Sequence, residues 1–175
     1  MKVLFVCTAN ICRSAYAEVT ARHGAAGVLS FSSAGVHGFP AAGMESLMAS
    51  EAEARGVSSA RFRSARLTTA MIDDADLVLT AETRHRQFIL EERPVAMRTT
   101  FTLGQFARGL DRVDAPSADL IAQVRAQAPT SRPEDDVADP YGRGPDAASR
   151  AAHEIDDLLA QILPALELAA NAPAV

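Results

Sequence analysis

The stretch Val3-Leu4-Phe5-Val6-Cys7-Thr8-Ala9-Asn10-Ile11-Cys12-Arg13-Ser14 decides the reading of this chain. An apolar run of strand length leads straight into a polar turn, and a helical pattern follows over residues 15–22. Five residues lie between Cys7 and Arg13, so a strand–loop–helix unit puts a thiol and a guanidinium at the two ends of one turn. A loop of that size curls its backbone N–H groups around a tetrahedral oxyanion. The helix behind it adds the positive end of its dipole at the same point. Residues 7–14 are therefore read as an anion cradle, with Thr8, Ala9, Asn10, Ile11, Cys12, Arg13 and Ser14 as its binding residues.

Each residue type suits that chemistry. A cysteine at a helix N-terminus beside a cation ionises more readily than a free one, and the thiolate is the nucleophilic form. Cys7 is the candidate nucleophile. Arg13 carries a planar fork that matches two phosphate oxygens and stays charged at any working pH. The Ser14 hydroxyl follows, within reach of the sulfur. Asn10 is among the few non-glycine residues that tolerate a left-handed backbone. A cysteine at a strand end also serves as a small buried hydrophobe, and C-x5-R alone is a weak signal. The strand before it and the helix after it strengthen the anion-loop reading.

Working outward, strand-like and helix-like segments alternate. Strands are expected over residues 3–6, 29–34, 76–80 and within 95–102. Helices are expected over residues 15–22, 44–55, 82–91, 104–108, 117–128 and 147–163, the last capped by Asp146 and ended or kinked by Pro164. Alternation of this kind implies an α/β fold: a single domain with a four-stranded parallel sheet, helices on both faces and a phosphate-binding loop after the first strand. Ligands in such sheets bind at the carboxyl ends of the strands, where Cys7 falls. The 175 residues fit one domain. Residues 1–168 are assigned to it and residues 169–175 to a frayed tail.

Composition narrows the function. A net charge of −5 makes nucleic acid an unexpected partner. The two cysteines, Cys7 and Cys12, are too close in sequence to staple a fold and point to a reducing, cytoplasmic setting. The apolar run after Lys2 is too short for a signal peptide, and nothing approaches a membrane span. The histidines at 23, 37, 85 and 153 show no metal-ligand spacing, so neither metal nor cofactor is expected.

The motif Val-Leu-Phe-Val-Cys-Thr-Ala-Asn-Ile-Cys-Arg-Ser resembles the signature loop of the low-molecular-weight protein tyrosine phosphatases. Ser32-Ser33-Ala34-Gly35 resembles that family's second strand, and Asp76-Leu77-Val78-Leu79 its third. Asp139-Pro140-Tyr141-Gly142 is similar to the loop carrying its general acid. The resemblance implies hydrolysis of protein phosphotyrosine and small aryl phosphates through a cysteinyl-phosphate. Cys7 is then the nucleophile, Arg13 the phosphate clamp and Asp139 the acid that later acts as base. Pro140 holds Asp139 extended. Within the acidic stretch Glu134, Asp135, Asp136 and Asp139, Asp136 is the alternative acid. Tyr141 is placed at one wall of the substrate cleft and Phe39 at the other. The resemblance further implies a reversible Cys7–Cys12 disulfide under oxidation, and binding of inorganic phosphate or a similar oxyanion. Because some relatives act on tyrosine kinases of surface polysaccharide synthesis, such a kinase is one partner it suggests.

Three departures stand out. The family usually has glycine at Ala9, proline at Ala15, and a tryptophan or tyrosine soon after Ser-Ala-Gly. A positive φ at Ala9 would cost on the order of 1–2 kcal/mol. Two alternatives follow: a catalytically weak anion-binding regulatory module, and arsenate reduction on the same fold. The second needs a resolving cysteine downstream, and none follows Cys12.

Overall fold

The structure is a computed structural model and describes residues 1–25 and 27–172. Four strands form one parallel sheet in the order β2-β1-β3-β4: β1 (Lys2–Cys7), β2 (Ser30–Gly35), β3 (Leu77–Thr80) and β4 (Thr100–Thr102). The period-two alternation of β1 explains its central place. Val3 and Phe5 join one apolar cluster while Leu4 and Val6 join another on the opposite face. β3 repeats the pattern, with Leu77 and Leu79 on the first side and Val78 on the second. A strand buried on both faces reads as a continuous apolar run.

Helices α1 (Arg13–Gly24), α2 (Ser46–Ala54), α5 (Leu103–Leu110), α6 (Leu120–Gln127) and α7 (Pro145–Asn171) bury side chains in the larger cluster. α3 (Thr69–Asp74) and α4 (Thr83–Glu92) cover the other face through Ile72 and Ile89. The chain goes from β1 outward to β2, then crosses to β3 on β1's other side. The carboxyl end of β1 is thus the switch point where such sheets bind ligands. Among the described residues no helix is long and apolar enough to cross a membrane.

The sequence reading misses α3. It also misplaces the last helix. Pro164 does not end α7, which continues to Asn171. Its apolar stripe runs on through Leu163, Leu166 and Ala169, all buried. The carbonyl that Pro164 leaves without a helical donor belongs to exposed Ala160 and is open to solvent. For the same reason the frayed tail expected from Ala169 does not begin there; residues 173–175 lie outside the described residues. Asp146 sits inside the first turn rather than capping it, since Gly144 is the N-cap and Pro145 the first helical residue.

β4 is a short edge strand. The Thr100 carbonyl accepts from Arg86 Nε (3.0 Å) and Arg125 Nη2 (2.7 Å). Two cations over one edge carbonyl block further strand pairing.

Candidate active site

β1 delivers Cys7 to the carboxyl edge of the sheet and α1 begins at Arg13, so the intervening residues must turn within one short loop. Asn10 makes that turn. Its φ of 56° is left-handed, and Ala9 is not among the positive-φ residues, so the methyl at position 9 brings no left-handed strain. The Asn10 side chain then ties the loop down. Its Nδ2 donates to Ser14 Oγ (2.9 Å) and Ser33 Oγ (2.7 Å), and its Oδ1 accepts from Ala65 N (2.7 Å). Ser33 Oγ in turn donates to Glu18, whose carboxyl is pushed up by burial despite that hydrogen bond.

Two polar groups face the sulfur. Asn10 N lies 3.3 Å from Cys7 Sγ and donates to it, and Ser14 Oγ lies 2.9 Å away. The backbone N–H groups of Thr8, Ala9, Ile11, Cys12, Arg13 and Ser14 donate to no acceptor among the described residues. Amides away from water are almost always paired, so a run of unpaired ones between Cys7 and the start of α1 is an arrangement that an oxyanion would satisfy. Cys12 is the N-cap of α1 and a free thiol, pushed up to about 12 by burial first, then by Cys7, Glu45 and Asp139.

β2 supports the loop from beside it. A Cβ on Gly35 would stand 2.7 Å from both the Ala9 carbonyl carbon and the Thr8 oxygen. Both are backbone atoms of the cradle. Gly35→Ala is expected to destabilise the protein by about 1–3 kcal/mol and to lower phosphate binding, read by urea denaturation and by phosphate titration.

Arg13 is 1% exposed. Its Nη1 donates to Val137 O (2.9 Å) and meets Glu82 Oε1 (2.9 Å), while Nη2 meets Asp139 Oδ2 (3.0 Å). Two carboxylates thus hold a buried guanidinium and fix its plane. Arg13 Nε is buried with no acceptor among the described residues. Glu82 also pairs with Arg84, whose Nη2 is 4.0 Å from Asp139.

The loop forms the floor of a cavity of about 350 Å³ lined by Cys7, Thr8, Ala9, Ile11, Cys12, Arg13, Phe39, Asp139 and Tyr141. Phe39 and Tyr141 flank its mouth at 67% and 63% exposure. Asp139, far from Cys7 and Arg13 in sequence, is therefore brought together with them. Asn10 and Ser14 lie beneath the floor, as supports rather than lining. Asp136 is elsewhere: its Oδ1 accepts from Thr83 N (2.7 Å) and Thr83 Oγ1 (2.8 Å), capping the start of α4.

The sequence reading misses two participants, Glu82 and His85. Both lie just past the carboxyl end of β3, the edge where parallel sheets gather functional residues; that position was the available signal. His85 is buried, and its Nε2 is 2.9 Å from Thr8 Oγ1 and 3.6 Å from Glu82. Burial lowers it from 6.5 to about 3, with Arg13 and Arg84 acting the same way, His37 adding to them and Asp139 opposing. Between those values the unfolded chain binds a proton that the native protein does not, so stability falls as pH drops through that window. The slope from this group reaches at most about 1.4 kcal/mol per pH unit. Urea midpoints of the wild type should fall more steeply between pH 7 and 5 than those of His85→Phe.

Comparison with known proteins agrees with this geometry. Residues 2–119 match the model of the family described as low molecular weight phosphotyrosine protein phosphatase. A "Protein-arginine-phosphatase" of Geobacillus stearothermophilus is 32% identical over 167 residues, 95% of this chain and 96% of that one. A "Probable low molecular weight protein-tyrosine-phosphatase EpsP" of Ralstonia nicotianae is 29% identical over 103 residues, 59% of this chain and 70% of that one. The solved structure of the YwlE arginine phosphatase from Geobacillus stearothermophilus superposes with a TM-score of 0.78 at 28% identity, covering 95% of this chain and 92% of that one. The chain belongs to the low-molecular-weight phosphotyrosine protein phosphatase family and is a phosphatase of that family.

Proposed function

We propose that this phosphatase hydrolyses phosphotyrosine in proteins, and small aryl phosphates, through a cysteinyl-phosphate on Cys7. The observation that carries the reading is the cavity itself. Its floor holds Cys7 and Arg13, its rim holds Asp139, and its walls carry Ile11, Phe39 and Tyr141, apolar surface for an aromatic ring. In the first step the Cys7 sulfur attacks phosphorus in line while the bond from phosphorus to the phenolic oxygen breaks. Asp139 gives its proton to that departing oxygen. Arg13 and the free loop amides hold the three equatorial oxygens. In the second step water attacks the cysteinyl-phosphate, Asp139 takes the water's proton, and the S–P bond breaks to release inorganic phosphate.

A second reading has a specific observation behind it. The Geobacillus relative, aligned over 95% of this chain, is named for action on arginine. The same cradle accepts a phosphoryl group from either side chain, and Asp139 suits both leaving groups, as a carboxylate beside a cationic guanidinium or as an acid toward a phenolic oxygen. One peptide carrying either phosphotyrosine or phosphoarginine separates them. We expect kcat/KM for phosphotyrosine to exceed that for phosphoarginine by about tenfold or more, from the apolar walls. The reverse order assigns the protein to phosphoarginine, and hydrolysis of neither, nor of an aryl phosphate, removes the thiol mechanism. A tyrosine kinase of surface polysaccharide synthesis is the protein substrate to assay first.

A further inference from the structure

We propose that His85 is a positioning residue of the phosphate loop, acting through its hydrogen bond to the Thr8 hydroxyl to hold the first cradle amides where the transferring phosphoryl group needs them. The inference rests on the cysteine-phosphatase reading above.

The loop has two anchors. Asn10 fixes its middle to Ser14, Ser33 and Ala65. Thr8, directly after the nucleophile, is fixed from the other side. Its carbonyl accepts from His37 N (2.8 Å) and its Oγ1 meets His85 Nε2 (2.9 Å). Both polar groups of Thr8 other than its amide are thus engaged away from the cradle. Thr8 is the wall between two cavities: the catalytic one, and a smaller one of about 230 Å³ that His85 also lines. His85 therefore touches the loop from behind, through its hydrogen bond to Thr8, and lies farther, at 3.6 Å, from the Glu82 carboxylate that pairs with Arg13.

The chemistry of the imidazole supports a role beyond filling space. His85 is 2% exposed, and its Nδ1 has no hydrogen-bond partner among the described residues. A phenyl ring would fill such a site with no unpaired nitrogen of its own, and each such atom in a native core calls for an explanation. A buried N–H without an acceptor is rarer than a bare acceptor. That places the proton on Nε2, donating to Thr8 Oγ1. The tautomer follows from the hydrogen-bond network.

The test compares wild type, His85→Phe, His85→Gln, Thr8→Val and the double variant His85→Phe/Thr8→Val. The readouts are kcat and KM for an aryl phosphate and inhibition by vanadate and by inorganic phosphate. Vanadate adopts the five-coordinate geometry of the transferring group, whereas phosphate is tetrahedral. Each single variant that breaks the bond should lose about tenfold in kcat with KM little changed, as for a group acting in the transition state. Vanadate inhibition should weaken by a similar factor and phosphate inhibition by much less. The double variant should be no worse than either single one, and His85→Gln, which keeps a donor near Nε2, should recover most of the loss. Additive losses, equal weakening of vanadate and phosphate, or a glutamine variant as poor as phenylalanine would overturn the proposal. If His85→Phe does not fold, Thr8→Val against Thr8→Ser gives the same readout: equal kcat and equal vanadate inhibition in that pair overturn it. Failure of the underlying reading looks different, because Cys7→Ser would then be as active as wild type.

Discussion

Cys7→Ser is expected to lower turnover of an aryl phosphate by on the order of 10⁴-fold or more, the scale seen when an enzyme loses its nucleophile. The reason is chemical rather than structural. A serine hydroxyl fills the site with a smaller atom and gives up its proton far less readily than a thiol. The residues beneath position 7 are bound to one another independently of the sulfur. Asn10 holds Ser14, Ser33 and Ala65, and Arg13 holds Val137, Glu82 and Asp139. The cradle should therefore survive the change. Steady-state turnover together with phosphate binding by calorimetry checks both halves. Retained binding with lost turnover is the expected pair, and turnover within tenfold of wild type would remove Cys7 from the mechanism.

Asp139→Asn is expected to lower kcat by about 10²–10³-fold on phenyl phosphate, within the usual range for general acid catalysis. An asparagine keeps the shape and can still lie beside Arg13, but it has no proton to give the departing oxygen. With p-nitrophenyl phosphate, whose leaving oxygen is far less basic, the loss should be much smaller. The dependence of rate on leaving-group basicity is therefore the diagnostic: steep for the variant, shallow for the wild type. The same substitution also removes one of two carboxylates facing Arg13, leaving Glu82 at 2.9 Å to hold the guanidinium. A rise in KM alone, with unchanged leaving-group dependence, would mean that Asp139 only orients Arg13. Asp136 then offers no substitute, because it is committed to capping α4 through Thr83.

How much of this was legible in the sequence differs by element. The loop was, because strand, turn and helix start lie within one continuous stretch and their spacing alone sets thiol against guanidinium. The left-handed turn at Asn10 was legible too, since few side chains tolerate that conformation. The end of α7 was not. A proline is a local signal for a stop, but burial of Leu166 and Ala169 is a property of the packed core, and it outweighs one missing hydrogen bond. Glu82 and His85 were hidden for a related reason. In a linear sequence they look like ordinary charged and polar residues at a helix start.

Periodicity and residues a few positions apart were enough to specify the parallel α/β plan and the loop after the first strand. What surrounds that loop came from packing across the chain: Glu82 and Asp139 against Arg13, Thr8 against His85, Gly35 against the loop backbone. Those contacts join residues dozens of positions apart. Their distances are set by how strands pair and helices pack, which no local pattern encodes.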